Sequence, residues 1–312
     1  MSIREDCSDD LEKKSIISSL TNNAIAYVKS FSEISEIRNI LSTYILTQGI
    51  ELPYNMLLQI NLDTFIKLLF NPSKAIGNVL ILQGGIKHMN KNSYYVKTSS
   101  MFLSQKIRLF IFEKFHPVIN YKFSNDVSEA IKYIRKNYSG PIIIIGYSMG
   151  GMLLLSYLAL GYDDADMYIP TCCSFDFNGF KNRIENNTLF SWLQYNDYKA
   201  FDVENYEELL KLSGISLEEQ QNFMNNSLQY LNENIDKWLN KTIYIVSEMD
   251  PLTKNYKTET RKLKQKLLIY EIKGGWHCCL DTSHLAATLA YNYCNLLNKT
   301  GIVPILQDIP LE

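Results

Sequence analysis

The chain has 312 residues, 46% of them hydrophobic and 21% charged, with a formal net charge of -2. That length suits a large α/β domain with an insertion, and it can bury a sizeable core without disulfide staples. The near-neutral balance, with no long basic block, argues against nucleic acid as a partner, because binding it needs a concentrated basic footprint.

The charged opening MSIREDCSDDLEKK has no apolar stretch behind it, so no secretory signal is expected. With six cysteines in a chain of this kind, reduced thiols in a cytoplasmic setting are the expectation. Residues 1–50 carry Ile34, Ile37, Ile40, Leu41 and Tyr44 at helical spacing and read as an N-terminal helical extension. MLLQI (56–60) and TFIKLLF (64–70) read as two short strands, a hairpin in outline, before Asn71-Pro72 breaks the chain.

A rhythmic stretch follows. NVLILQGG (78–85) and KIRLFIFEK (106–114) are strands. Residues 125–137 form a helix, with Asp126 and Glu129 suited to its start and Val127, Ala130, Ile131 and Ile134 as its apolar stripe. PIIIIG (141–146) is apolar on both faces, as strands of a covered parallel sheet are. Helix MLLLSYLAL and strand DMYIPTCC (166–173) come next. No residue between Asn137 and Tyr162 is charged, but Gly140-Pro141 and the glycines at 146, 150 and 151 break any membrane-spanning helix, so no transmembrane span is expected.

Residues 175–240 are polar, aromatic and helical in pattern, with Ser216 and Glu219 spaced as a capping box. Regular alternation resumes with strand KTIYIVSE (241–248), a basic helix near 255–265, strand KLLIYEIKGG (266–275) and a last helix over about 283–297. That helix has Leu285, Leu289, Tyr293 and Leu296 on one side and Gly301 past its end. The order predicts a mostly parallel central sheet with helices on both faces. The expected organisation is an extension (1–50), a first core part (51–174), a helical cap insertion (175–240) and a second core part (241–312).

Gly146-Tyr147-Ser148-Met149-Gly150 is G-x-S-x-G between strand and helix. A serine on that sharp turn stands clear of the sheet, and the flanking glycines permit the close strand–helix approach. Its hydroxyl needs a base, and the base an orienting acid. Of four histidines, His88 and His116 precede the serine, whereas His277 in GGWHCC follows the last expected strand. His284 is the fallback base. Asp250, in VSEMDPLT, ends the penultimate strand 27 residues before His277, room for one helix and one strand. Asp176 and Glu248 are the alternative acids. Two backbone N–H groups should face the oxyanion. Met149 and Gly85 are expected to provide them, with Ile86 the near alternative to Gly85.

Cys172-Cys173 and Cys278-Cys279 lack C-x-x-C spacing and read as small packed side chains. A metal built from His277 and these cysteines is the minor alternative, and neither metal nor organic cofactor is expected. The aromatics Phe175, Phe177, Phe180, Phe190, Trp192 and Phe201 read either as an acyl-binding lining or as packing against the sheet. The basic stretch from Lys254 to Lys266 reads either as a solvated helix face or as a peripheral membrane contact.

The segments DVSEAIKYIRKNY, GYSMGGMLLLSYLALG, DPLT and KGGWH together resemble the α/β-hydrolase superfamily, and most nearly its YheT-type branch of esterases and medium-chain phospholipases. A weaker likeness is Phe201-Asp202 within the insertion. The likeness covers roughly residues 78–297. It implies the α/β-hydrolase fold and a serine hydrolase acting on a small-molecule acyl ester, with lipid esters among its substrates. Where the branch commonly has His-Gly or Pro-Gly at the oxyanion loop, this chain has Gln83-Gly84, which leaves the second donor open. Two other readings remain at this stage: a non-catalytic small-molecule receptor or scaffold on the same fold, and an acyltransferase using the same three residues.

Overall fold

The computed structural model describes residues 56–59, 64–84, 106–114, 120–187 and 202–311. The expected N-terminal extension over 1–50 lies outside the described residues, as do Gly85, Ile86, His88, His116, Phe190, Trp192 and Phe201.

The strands are β1 (Met56–Gln59), β2 (Thr64–Phe70), β3 (Gly77–Leu82), β4 (Ile107–Lys114), β5 (Ile142–Tyr147), β6 (Met167–Thr171), β7 (Ile243–Ser247) and β8 (Leu268–Ile272). The helices are α1 (Phe123–Asn137), α2 (Met149–Ala159), α3 (Phe177–Glu185), α4 (Tyr206–Leu212), α5 (Leu217–Glu233), α6 (Ile235–Trp238), α7 (Tyr256–Thr260) and α8 (Leu280–Thr300). One sheet runs β1-β2-β4-β3-β5-β6-β7-β8. β1 pairs antiparallel with β2, and β2 with β4, while every pairing from β4 to β8 is parallel. The expected mostly parallel sheet is therefore present, with an antiparallel pair at one edge.

Side-chain alternation sorts the strands between two cores. Leu80, Leu82, Ile142, Ile144, Tyr168 and Val246 face one side, where they meet α1 and α2. Val79, Ile81, Ile143, Ile145, Ile169 and Ile245 face the other, where they meet α8. Helices thus cover both faces, and this is why the strands can be apolar throughout. α2 is buried on every side from Gly150 to Ala159, because α5 and α6 of the 175–240 stretch pack into the same core through Phe223, Met224, Leu231, Ile235 and Trp238.

Three helices differ from their sequence-based outline. α1 begins at Phe123, three residues before Asp126, because Phe123 and Ser124 are buried and Asn120 supplies the turn by accepting the Lys122 N–H at 2.9 Å. Asp126 instead lies in the first turn, where its charge suits the helix dipole. The basic helix shrinks to five residues in α7, after which the chain turns to insert Leu263 and Leu267 into the core. α8 is longer than expected and presents Ala286, Ala287, Leu289, Ala290, Tyr293 and Cys294 to the sheet, while Leu285 is only half-buried. Small residues let that helix approach closely. The Ser216–Glu219 capping box forms in both directions, and Gly301 ends α8 in the left-handed region with φ 68°.

Register aligns the carboxyl ends of the central strands. Leu82 pairs with Gly146, Tyr147 with Thr171, Thr171 with Ile245 and Ser247 with Ile272. Gln83, Ser148, Cys172, Asp250 and His277 all follow these ends, on the edge where open α/β sheets place their sites.

Candidate active site

Ser148 lies between β5 and α2 with φ 53° and ψ -116°. A non-glycine residue there is strained, and the surroundings hold it: its N–H donates to Thr171 O at 2.9 Å, and its carbonyl accepts from Met152 N at 3.0 Å. The two motif glycines are required by contact. A Cβ at Gly146 would sit 2.6 Å from Gly150 O, and one at Gly150 would sit 2.0 Å from Leu82 O. The turn is therefore pressed against its own helix and against the end of β3. Met149 occupies the first position of α2, where backbone N–H groups have no intrahelical acceptor.

The loops after β7 and β8 are joined by backbone hydrogen bonds, Glu248 N to Ile272 O at 3.0 Å and Met249 N to Gly275 O at 2.9 Å. This brings Asp250 and His277 together. His277 Nδ1 is 2.7 Å from Asp250 Oδ2, and His277 Nε2 is 2.8 Å from Ser148 Oγ. The other Asp250 oxygen accepts the Leu252 N–H at 2.9 Å, so both oxygens of this fully buried carboxylate are occupied. Burial opposes charge on the imidazole, but the Asp250 charge and hydrogen bond, with a contribution from Cys172, outweigh it and hold His277 above its ordinary value. Of the alternative acids, Asp176 caps α3 by accepting the Gly179 N–H at 2.9 Å. Glu248 is exposed and accepts from Gly274 N at 3.0 Å. His284, the fallback base, is half-buried within α8. Gly85 lies outside the described residues, and Leu82 and Gln83 upstream of it are placed at the elbow by the Gly150 contact.

A buried ion pair behind the acid loop has no signature in the sequence. Glu259 on α7 and Arg183 on α3 meet at 3.0 Å with side chains only 4% and 11% exposed. Glu259 also accepts from Ser174 Oγ at 2.6 Å and Phe175 N at 3.0 Å, while Arg183 Nε donates to Leu252 O at 2.6 Å. The pair ties α3, α7 and the segment after β6 to the loop carrying Asp250. The partners are 76 residues apart, so no local pattern could flag them.

Phe175, Phe177 and Phe180 are buried in the core and fit the packing alternative. Trp276 and Met249 remain 50% and 58% exposed, and both lie in the paired loops. The adjacent cysteines split: Cys172 packs with one core and Cys173 with the other. Cys278 N–H donates to Cys172 Sγ at 3.3 Å. Burial raises both thiols, and their mutual contact then divides them, leaving Cys172 below its ordinary value and Cys278 well above.

No family model matches the chain. No curated protein matches it either. Solved structures do. An arylesterase structure superposes with a TM-score of 0.55 at 16% identity, covering 93% of this chain and 98% of its own. An esterase of Pyrobaculum calidifontis gives 0.53 at 13% identity, over 89% of this chain and 94% of its own. Carboxyl esterase 2 of the fungus Tuber melanosporum gives 0.53 at 13%, over 85% and 84%. At such identities the likeness speaks to architecture, and the architecture is the α/β-hydrolase fold.

Proposed function

We propose that this protein is a serine hydrolase of carboxylic esters. The observation that carries the reading is the unbroken line Ser148 Oγ–His277 Nε2–His277 Nδ1–Asp250 Oδ2, with links of 2.8 and 2.7 Å. His277 takes the Ser148 proton as Oγ bonds to the acyl carbon. Asp250 holds the ring's tautomer and stabilises the imidazolium. The imidazolium then gives that proton to the departing alcohol, leaving an acyl-enzyme on Ser148. Water, deprotonated by the same ring, releases the acid and restores the serine. The oxyanion is bound by the Met149 N–H and, on the sequence reading, by Gly85, each worth about 2.7–4 kcal/mol in the transition state.

Several expectations belong to this reading. Residues 175–240 would act as the cap over the acyl pocket, and resemblance to the YheT-type branch favours medium-chain acyl esters. No helix among the described residues is long and apolar enough to cross a membrane. The names of the esterase structures support an ester substrate here. A binding-only receptor has no need of a hydrogen-bonded serine, histidine and aspartate, so the hydrolase is preferred.

The test is labelling with a fluorophosphonate, comparing the wild type with Ser148→Ala and His277→Ala. Wild-type labelling that disappears in both variants is expected, with ester hydrolysis falling on the order of 10^4-fold or more in Ser148→Ala. A folded wild type that neither labels nor hydrolyses a series of esters of increasing acyl length would refute it.

A further inference from the structure

Beside the proposed relay, Cys172, His277 and Cys278 each offer one ligand atom, and all three atoms lie within 4.8 Å of one another. Among the described residues this is the one such cluster of histidine, cysteine and carboxylate side chains. Bond lengths of about 2.3 Å to sulfur and 2.0–2.1 Å to nitrogen imply tetrahedral edges of about 3.5–3.8 Å. Closing the cluster on an ion therefore requires side-chain rotations that shorten the separations and turn His277 out of one of its two hydrogen bonds.

Three further features favour ligation over mere packing. Cys172 and Cys278 hold φ angles of 49° and 46°, so both backbones are strained at the same spot. The Cys172 sulfur is surrounded by polar groups, with Cys278 N–H at 3.3 Å and Ser247 Oγ at 3.5 Å, the outer contacts that orient a metal-binding thiolate. Two sulfurs and an imidazole nitrogen form a soft donor set, which selects zinc or cadmium over magnesium or calcium. A divalent cation with two thiolates and a neutral ring is also neutral overall, which suits a buried position.

We propose that Cys172, His277 and Cys278 form a site for a soft divalent cation such as zinc, and that filling it switches the hydrolase off. On binding, two S–H bonds give way to two metal–sulfur bonds, and two protons leave to solvent. The inhibition follows from His277, and this half rests on the function proposed above. Both ring nitrogens are already committed, Nδ1 to Asp250 and Nε2 to Ser148. A cation on either nitrogen removes one link of the relay, so the loaded and working states exclude each other.

Cadmium makes the site visible without reference to activity, through the sulfur-to-metal charge-transfer band in the ultraviolet. The full chain, treated with chelator and kept reduced by a phosphine, is titrated with Cd2+. The band should saturate at a single equivalent in the wild type and in Ser148→Ala. It should be lost in Cys172→Ser and in Cys278→Ser, with circular dichroism checking the fold of each; either folded variant suffices. Ester hydrolysis should fall roughly tenfold or more at saturation, return on chelation, and resist the metal in the cysteine variants. No band, or a band surviving in a folded cysteine variant, would overturn the site. Hydrolysis unchanged at saturation, or inhibition that a chelator does not reverse, would overturn the switch. If the hydrolase reading itself is wrong, labelling fails while the band remains.

Discussion

His277 is held between a buried carboxylate and a hydroxyl, and its side chain is only 10% exposed. Burial alone would make the imidazolium harder to form, yet Asp250 reverses the sign and the ring is held above its ordinary value. Under the proposed mechanism the ring must be neutral to accept the serine proton. Activity should therefore fall as pH drops through the raised value, and the acid limb of kcat/KM should lie above the ordinary histidine value of about 6.5. Replacing Asp250 by Asn removes the raising charge, so that limb should move to lower pH while kcat drops roughly 10^3–10^4-fold. A pH–rate profile of both proteins checks this. An acid limb below the ordinary value in the wild type would contradict the account.

At the scale of elements, the site is assembled from loops, and a loop is only as well placed as what lies behind it. The Arg183–Glu259 pair locks α3 and α7 onto the loop bearing Asp250. Breaking a buried pair strands a charge, which costs about 3–5 kcal/mol. Glu259→Gln should destabilise the fold by about 3 kcal/mol in urea unfolding, and should lower kcat more than it raises KM, because Asp250 loses its backing. Changing Arg183 and Glu259 together should cost less than the two single changes added. Elements with strong local signals were legible in sequence: the strands of the parallel sheet, the elbow and the Ser216–Glu219 capping box. The three residues singled out as nucleophile, acid and base are the three that meet. The ion pair was not legible, since its partners find each other only after folding. The contact between Cys172 and Cys278 was not legible either, for a related reason. Adjacent residues at a strand end point to opposite faces, so Cys172 and Cys173 never act as a pair, and the partner of Cys172 lies 106 residues on, at Cys278.

For the whole molecule, the question is how far the 175–240 stretch is separable from the sheet it interrupts. Its last helices place Leu231, Ile235 and Trp238 inside the core that also holds α2. Trp238 is fully buried, and its indole N–H donates to Leu231 O at 3.2 Å. Trp238→Ala should cost about 3–5 kcal/mol by thermal unfolding. Deleting residues 175–240 should leave no cooperatively folded core, judged by calorimetry, whereas a dispensable cap would leave the unfolding transition intact. The strand that follows the 175–240 stretch was readable from the return of strand periodicity at 241–248. That the final turns of the stretch belong to the core was not, because burial on every side of α2 gives no sequence period to count.

The hydrogen bonds that join the loops after β7 and β8 divide the proposed relay unequally. Asp250 and His277 ride on strands whose loops are sewn together, through Glu248 to Ile272 and Met249 to Gly275. Ser148 belongs to a different frame, the β5–α2 turn braced by Thr171 and Leu82. Motion of the sheet should therefore move Asp250 and His277 together and fall mainly on the gap between ring and hydroxyl. Whatever bends the sheet between β5 and β7, where the pairing runs through β6, opens or closes that gap alone. The hydroxyl's contact with the ring acts as a gauge of sheet twist, and the dyad beside it does not.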